Sequence, residues 1–368
     1  MEVTAISPQP RRSALALAAA LVAGFVVVVP HPAAHAVDYQ SVVLADHPVA
    51  YWAVGDSGTT EPDLTGNGHV GTYRGGTPAP TSLPDGLPAA DFNGAGEYLQ
   101  IGSATDLSIP TTHELTWEGW IRPDVLQFPN SDSTGSYVDW MGKCQNYNPT
   151  CEWEARMYDT TNSEGRCNRI SAYVFNPSAG LGSAADWQPS CGLLQAGQWL
   201  YVVGEYQTLT TPSDCNPAYP GTIDIWVNGV EWDQAAHTPT GCMSQHDIVP
   251  QANSSPLDIG TMALDSWFAG AVGQVAIYDS LLTPAQISAH FQAMTGVAPS
   301  GSCASTCTIP VPTPTTSTST TTTSTTTSTS TTTSTSTTTS TSTTTVPTTT
   351  TSTTTTVPLK RRHRIGKS

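Results

Sequence analysis

Hydrophobic and polar residues alternate in several short stretches of the chain, the pattern that indicates β-strands with one buried face. In the stretch 115–122, Leu115, Trp117 and Ile121 fall on one side of a strand. Its other side carries Thr116, Glu118, Trp120 and Arg122. Three further strands are predicted on the same grounds, over 199–206, 223–227 and 272–278. Because clusters of Gly, Pro, Asn and Asp separate these stretches, the pattern predicts an antiparallel β-sandwich.

Two local signals add a turn and a helix to this all-β outline. The Asn-Gly pair at 228–229 predicts a tight hairpin after the strand that precedes it. Farther along, Thr283 suits the N-cap of a helix, Pro284 its first position, and Gln286 completes a capping box. Gly296 then supplies a residue at which the helix can end. We therefore expect one short helix near the end of the globular part.

The beginning of the chain has the pattern of an export signal. Two arginines at 11–12 precede an apolar run over 13–29, and the small residues of Ala-His-Ala follow at 34–36. This order predicts a signal peptide over residues 1–36, with the mature chain starting at Val37. Prolines directly after the apolar run favour cleavage over an uncleaved membrane anchor. We therefore expect a secreted protein.

The end of the chain is compositionally simple. Residues 309–358 are rich in Thr, Ser and Pro, and 315–345 contain only Thr and Ser. Such a segment has no apolar side chains to bury, so it predicts a disordered and O-glycosylated stalk. A basic tail follows at 359–368 and predicts binding to an anionic cell-envelope polymer, with a solvated charged end as the alternative. These segments leave 37–308 as one globular domain.

Charge narrows the range of partners. The formal net charge is −16, and residues 37–312 hold 28 Asp and Glu residues against 6 Lys and Arg residues. A domain this acidic repels phosphates, which excludes nucleic acid as a partner. Only 11% of residues are charged, whereas Gly and Pro are frequent, and this composition excludes a coiled coil.

Short motifs in a fixed order extend the prediction from fold class to family. They lie at 50–56, 63–73, 91–99, 115–123, 225–229 and 268–287. In this order they resemble the laminin-G-like domains of the concanavalin A-like lectin/glucanase superfamily, over about residues 42–294. The resemblance implies a jelly roll of two packed antiparallel sheets, one of them curved into a concave face. Between about 127 and 195 the sequence departs from the family, and we expect long loops rich in Cys and aromatic residues there.

Eight cysteines remain after removal of the signal peptide. They are Cys144, Cys151, Cys167, Cys191, Cys215, Cys242, Cys303 and Cys307. An even number in an exported chain predicts disulfides, although the sequence leaves 105 complete pairings open. Proximity along the chain favours pairing each cysteine with its sequence neighbour: 144 with 151, 167 with 191, 215 with 242, and 303 with 307. No CxxC pair supports a zinc site.

One loop has the residue types of a calcium site. Asp63 and Asn67 supply oxygen ligands next to glycines that free backbone carbonyls, and Asp56 could contribute a third ligand. The resemblance also implies calcium, since many members of the family hold this ion. The alternative is a plain turn stabilised by the Asp63 side chain.

Aromatic residues in polar surroundings are the candidates for ligand contact. This set consists of Trp140, Tyr147, Trp153, Tyr158, Trp187 and Trp232, with Arg156 as a hydrogen-bonding partner. Exposed rings flanked by polar groups are suited to bind carbohydrate. The alternative is that the loops bury these rings in small cores of their own.

These patterns favour a secreted, non-catalytic binding module that recognises carbohydrate or a glycoprotein through its loops. A polysaccharide-active hydrolase or lyase on the same fold is the first alternative. Its acids would come from Glu118, Glu152 and Glu154, since such catalysis needs two carboxylates across a sugar. A structural envelope protein that contacts other proteins is the second.

Overall fold

The computed structural model describes residues 38–300 except for 57, 134, 146–149, 177–180, 209–220, 233–249 and 251. The predicted signal peptide, stalk and basic tail, together with Tyr147, Cys215, Cys242, Cys303 and Cys307, lie outside the described residues. The helices are α1 (Tyr39–Ala45), α2 (Ile109–Thr112) and α3 (Pro284–Thr295), with a 3₁₀ turn at Thr105–Leu107. No described helix has the length and the apolar composition needed to cross a bilayer.

Eighteen strands are found within the described residues. They are β1 (Ala50–Trp52), β2 (Thr60–Glu61), β3 (Gly71–Arg74), β4 (Ala79–Ser82), β5 (Pro88–Asn93), β6 (Tyr98–Ile101), β7 (Glu114–Pro123), β8 (Tyr137–Lys143), β9 (Trp153–Tyr158), β10 (Ile170–Asn176), β11 (Leu181–Trp187), β12 (Leu200–Thr208), β13 (Gly221–Val227), β14 (Val230–Trp232), β15 (Leu257–Ile259), β16 (Thr261–Met262), β17 (Ser266–Trp267) and β18 (Ala269–Tyr278).

The strands form two large sheets and a small hairpin. Sheet A has the order β14-β13-β12-β7-β18-β5-β4, with β1 also paired to β18. Sheet B has the order β11-β10-β9-β8-β15-β6-β3-β2, and β16 pairs with β17. All pairs of neighbouring strands in these two sheets, within the described residues, are antiparallel. The antiparallel sandwich predicted from the sequence is confirmed.

The main core lies between the two sheets. Leu115, Trp117 and Ile121 of β7 point into it, as their alternation predicts. The Trp117 ring meets the edge of Trp140 from β8 with ring centroids 5.4 Å apart, so one aromatic pair joins sheet A to sheet B. Burying an aromatic side chain of this size stabilises the fold by roughly 2–3 kcal/mol.

Two helices cover the outer face of sheet A. Trp120 of β7 stacks on Tyr201 of β12 and on Phe291 of α3, with centroids 5.1 Å and 6.0 Å apart. Tyr39 and Val43 of α1 are buried in the same cluster. Helix α3 has the predicted capping box at Thr283 and ends at Gly296 in the left-handed conformation. The cluster around Trp120 is therefore closed to solvent by α1 and α3, and the polar outer face of sheet B is the candidate surface for a site.

Two expectations about secondary structure are wrong or incomplete. The region 127–195 holds strands β8 to β11 rather than long loops. Strands β8 and β9 bury both faces, and the Cys, Gly and Asn residues between the strands of this region favour loops in the sequence. Helix α1 is not predicted: Asp38 stands at its N-cap, but its seven residues are too few to show a helical period. The predicted hairpin is confirmed, with Asn228 and Gly229 both at positive φ.

Candidate functional site on the outer face of sheet B

A row of polar side chains crosses four strands on the outer face of sheet B. The register pairs Asp139 of β8 with Arg156 of β9, Arg156 with Ser171 of β10, and Ser171 with Asp186 of β11. Side chains that stand opposite one another in a sheet point to the same face. The fold therefore brings together four polar residues that are far apart in the sequence.

Arg156 forms the centre of this face. Its Nε donates to Asp139 Oδ1 at 3.1 Å, and its guanidinium also pairs with Glu154. The guanidinium lies 3.7 Å from the ring centroid of Tyr137 and 4.6 Å from that of Tyr173. Arg156 is only 6% exposed. Its guanidinium therefore holds the side chains around it in place and is not itself an exposed charge.

Burial changes the acidity of both carboxyl groups beside Arg156. Desolvation raises the pKa of Asp139 to about 6, although the adjacent Arg156 guanidinium opposes the shift. Desolvation also raises the pKa of Glu154 well above its ordinary value, again against the effect of Arg156. One guanidinium offsets only one of the two carboxylate charges, and burial raises the pKa of both acids.

The more accessible groups surround Tyr173 on β10. The rings of Tyr173 and Phe175 are half-buried, with centroids 5.3 Å apart. Arg169 donates to Asp186 Oδ2 at 2.8 Å and to Gln188 Oε1 at 2.8 Å. The buried Ser171 supports this group from beneath, donating its hydroxyl to Asp186 Oδ1 at 2.5 Å. We refer to Arg166, Arg169, Ser171, Tyr173 and Asp186 as the β9–β11 patch.

The loop between β9 and β10 holds both arginines of the patch. Arg166 donates to the Tyr158 hydroxyl at 2.9 Å and pairs with Glu164 at 3.1 Å. Asn162 Oδ1 accepts from the backbone N–H groups of Glu164 and Arg166, which fixes the turn. A disulfide joins Cys167 of this loop to Cys191. The arginines are therefore pre-positioned by the loop, which reduces the entropy lost on binding.

A hairpin marks one border of the patch. Met262 of β16 is buried against the Cys144–Cys151 disulfide, with Phe175 and Ala263 packed beside it. A Cβ at Gly142 of β8 would lie 2.9 Å from Met262 Cγ. The hairpin thus lies on the outer face over β8, where only a glycine leaves it room.

Comparison with protein families decides the evolutionary assignment. The family model described as the concanavalin A-like lectin/glucanases superfamily matches residues 93–288, more than half of the chain. The chain belongs to this superfamily. The resemblance carried by the short motifs is thereby confirmed, and so is the jelly-roll class of fold. No curated protein sequence matches the chain.

Several solved structures are similar to the chain at low sequence identity. The receptor-binding domain of botulinum neurotoxin C/D mosaic serotype is 8% identical, with 68% of this chain and 52% of that chain covered and a TM-score of 0.47. Domain 4 of AbnA, an extracellular arabinanase from Geobacillus stearothermophilus solved with arabinotriose, is 18% identical over 67% and 98% of the two chains, with a TM-score of 0.43. The chain spans about half the length of the toxin domains that it matches.

Four of the predicted aromatic residues are buried in the described structure, including Tyr158, which is 1% exposed. Trp140, Trp153 and Trp187 are at most 1% exposed, because they occupy inward positions of β8, β9 and β11. The indole of Trp153 donates to Leu107 O at 3.1 Å. Trp232 is half-buried and packs on the same core. The prediction of exposed rings is wrong for these three residues, which belong to the main core rather than to separate small ones.

The three predicted catalytic carboxylates are fully buried, each with its own partners. Glu118 accepts from Tyr201 and Tyr278 beneath α3, and Glu152 pairs with Lys143 Nζ at 2.8 Å. Glu154 pairs with Arg156. Because all three carboxylates are buried, no sugar can lie between two of them, as hydrolysis would require. These residues therefore do not support the enzymatic alternative.

The predicted calcium loop is organised by hydrogen bonds from its own chain. Asp63 Oδ1 accepts from Thr65 Oγ1 at 2.7 Å, and Oδ2 accepts from the backbone N–H of His69 at 3.0 Å. Burial opposes the effect, but these hydrogen bonds lower the pKa of Asp63. Asn67 donates to Val49 O at 2.9 Å, and Asp56 Oδ1 accepts from Gly58 N. Calcium binding stays a prediction, and the described residues contain no cluster of three or more His, Cys, Asp or Glu suited to a metal.

The disulfide predictions are confirmed where they can be examined. Cys144 pairs with Cys151, and Cys167 pairs with Cys191, with Cα atoms 4.1 Å and 5.7 Å apart. Among the predicted ligand residues, Arg156 lies on the candidate face beside the β9–β11 patch, but none of the five members of that patch was predicted. One signal was available: Ile170, Ala172 and Val174 alternate with Ser171 and Tyr173, which predicts a strand with a polar, aromatic face.

Proposed function

We propose that the chain is a non-catalytic binding module that recognises carbohydrate, free or on a glycoprotein, through the β9–β11 patch. One observation carries the proposal: the half-buried rings of Tyr173 and Phe175 lie beside fixed hydrogen-bonding groups on the outer face of sheet B. A sugar ring offers an apolar face that packs on an aromatic ring, and hydroxyls that pair with planar polar groups. Membership of a lectin and glucanase superfamily is consistent with this ligand class.

The charges of the patch favour a neutral glycan. Arg166 pairs with Glu164 at 3.1 Å, and Arg169 pairs with Asp186 at 2.8 Å. Each exposed guanidinium is therefore already neutralised by a carboxylate of the same protein. A uronate or sulfate would have to displace that carboxylate, whereas a hydroxyl can bind both partners at once.

The chemistry of the described domain fits an extracellular location. Two disulfides staple sheet B and its loops, and such bonds persist in oxidising compartments. The signal peptide over 1–36 and the Thr-rich stalk over 309–358 remain predictions from the sequence. Together with them, the proposed binding face describes a secreted or surface-held module.

A glycan array with neutral and acidic glycans tests the proposal. We expect the exported form of the chain to bind neutral glycans, and Arg169→Ala to weaken that binding about tenfold, as loss of a charged hydrogen-bond donor does. Arg122→Ala is the matched control, because Arg122 is equally half-buried and carboxylate-paired but lies on sheet A. An EDTA arm reports on the predicted calcium ion.

The outcomes separate the competing functions. Equal loss of binding in both arginine variants would mean that the β9–β11 patch is not the site. Failure to bind any glycan, with or without EDTA, would overturn carbohydrate recognition. Capture of an envelope protein that is unaffected by deglycosylation would then support the structural alternative.

A further inference from the structure

A second group of aromatic and polar side chains lies on the other half of the outer face of sheet B. Arg74 of β3 stands opposite Tyr98 of β6, and Gln100 of β6 stands opposite Asp258 of β15. Trp267 of β17 meets Tyr98 edge-on, with ring centroids 5.8 Å apart. We refer to these five residues as the Tyr98–Trp267 patch.

Several hydrogen-bonding groups in this patch have no partner within the described part of the chain. These are the indole N–H of Trp267 and the hydroxyl of Tyr98, both on half-buried rings. Asp258 is 2% exposed, and its one hydrogen bond to a described residue comes from Gln100 Nε2 at 3.1 Å. Aromatic residues with a polar tip normally find a partner when they are buried, so a half-buried ring with a spare donor is suited to bind a ligand.

The charge of this patch is close to neutral. Burial raises the pKa of Asp258 to about 7, and the hydrogen bond from Gln100 opposes that shift only in part. Near neutral pH its carboxyl can therefore act as an acceptor or, when protonated, as a donor. Arg74 is exposed at the border and lowers the pKa of Tyr98, whereas burial and Asp258 raise it.

We propose that the Tyr98–Trp267 patch is a second binding site for a neutral sugar, on the same face as the β9–β11 patch. The ring of the sugar would pack on Tyr98 and Trp267, and its hydroxyls would pair with Asp258, Gln100 and the free indole donor. The ligand class rests on the proposed function, but the residues are independent of that site.

The two patches are too far apart to contact one sugar ring. Gln100 and Tyr173 lie at the two ends of one row of cross-strand partners. In this row Gln100 pairs with Asp258, Asp258 with Gly142, Gly142 with Glu154, and Glu154 with Tyr173. Four strand spacings separate them, which is about 19 Å. Met262 also covers the position of Gly142 between them. A polysaccharide with many copies of the recognised unit would therefore engage two sites at once and gain avidity.

The indole N–H of Trp267 allows a direct test. In ¹⁵N-labelled protein its NMR signal is identified by its absence in Trp267→Phe. We expect glucose, galactose, mannose or arabinose to displace this signal saturably in the wild type and equally in Arg169→Ala. Asp258→Ala should weaken the response about three- to tenfold, as loss of a hydrogen-bond partner does. Gln100→Ala is a second, milder variant of the same site.

The result distinguishes this site from the first one. If none of these sugars moves the Trp267 signal while Arg169-dependent glycan binding persists, the second site is overturned and the proposed function stands. If the signal moves but Arg169→Ala leaves array binding unchanged, the β9–β11 patch is wrong and this site stands. Absence of both responses overturns both.

Discussion

At the scale of single residues, His290 is the most constrained titratable group outside the binding face. It is fully buried, with Nδ1 2.9 Å from Glu118 Oε2 and Nε2 2.9 Å from Asp46 Oδ2. Because both carboxylates accept, both ring nitrogens must carry a proton. Burial lowers the pKa of His290, but Glu118 and Asp46 together raise it above its ordinary value. The other titratable groups around the imidazole are the hydroxyls of Tyr39, Tyr201 and Tyr278.

This geometry predicts that the domain loses stability as pH rises. The folded-state pKa of His290 lies above the unfolded value of about 6.5. The stabilisation that the protonated ring gives to the fold is therefore complete below about pH 6.5, and it is lost as the pH rises through the folded-state pKa. We expect His290→Leu to lower the free energy of unfolding at about pH 6 by about 3 kcal/mol, since it leaves Glu118 buried without a counter-charge. Urea unfolding over a pH series measures both effects.

His47→Asn provides the control for that experiment. His47 is exposed and has φ of 56°, a conformation that Asn tolerates, and it is outside the buried cluster. We expect this variant to follow the wild-type pH profile. A His290→Leu variant whose stability falls as steeply with pH as that of the wild type would contradict the role assigned to the imidazolium.

At the scale of elements, the two disulfides act on segments of different length. The bond from Cys167 to Cys191 spans 24 residues and ties the loop of Arg166 and Arg169 to the segment after β11. The bond from Cys144 to Cys151 spans seven residues beside the β16–β17 hairpin. Only the first one restrains the arginines of the β9–β11 patch.

We expect removal of the longer staple to affect stability and binding together. Replacing Cys167 and Cys191 by Ser should lower the free energy of unfolding by about 3 kcal/mol, because the unfolded chain regains the entropy of a long loop. Glycan affinity should fall as well, since the arginine loop is no longer pre-positioned. The matched pair is Cys144→Ser with Cys151→Ser, for which we expect a loss of about 2 kcal/mol. Equal glycan affinity of the first variant and the wild type would contradict the role of the loop.

Elements with strong local signals could be predicted from the sequence. Strand β7 alternates in sequence between core residues and Thr116 or Glu118, and α3 carries both a capping box and a terminal glycine. Strand β9 also alternates, but it lies in the Cys-rich region for which loops are predicted. Its outward residues Glu154 and Arg156 are buried as completely as its inward Trp153, so its burial does not alternate. Single-sequence patterns cannot indicate that a charged face is covered by other parts of the fold.

The candidate site was predictable only in part for a related reason. Arg156 was identified, but the aromatic residues around it were chosen by their polar surroundings, which led to Trp140 and Trp187 of the core. The residues that define the patch come from neighbouring strands in one register, as Ser171 and Asp186 do. Register is a property of paired strands, and local sequence does not determine it.

At the scale of the whole molecule, charge separates the domain from its basic tail. Residues 359–368 hold five Lys and Arg residues, whereas the net charge of the chain is −16. We expect the full chain to be retained on an immobilised anionic polymer such as polyacrylate, and rising salt to abolish this retention. Deletion of 359–368 should abolish it as well. Binding to neutral glycans should be unaffected. Equal retention of the truncated and full chains would show that the tail does not mediate this contact.

The contact between α1 and α3 has a practical consequence for engineering. The first and last helices of the described domain pack against each other, and His290 of α3 bonds to Asp46 directly after α1. Both helices lie on the sheet opposite to the one that carries the two patches. A short linker from α3 back to α1 should therefore yield a circular permutant with the same fold, and the domain should tolerate insertion into a loop of a host protein with the face of the two proposed patches pointing outward.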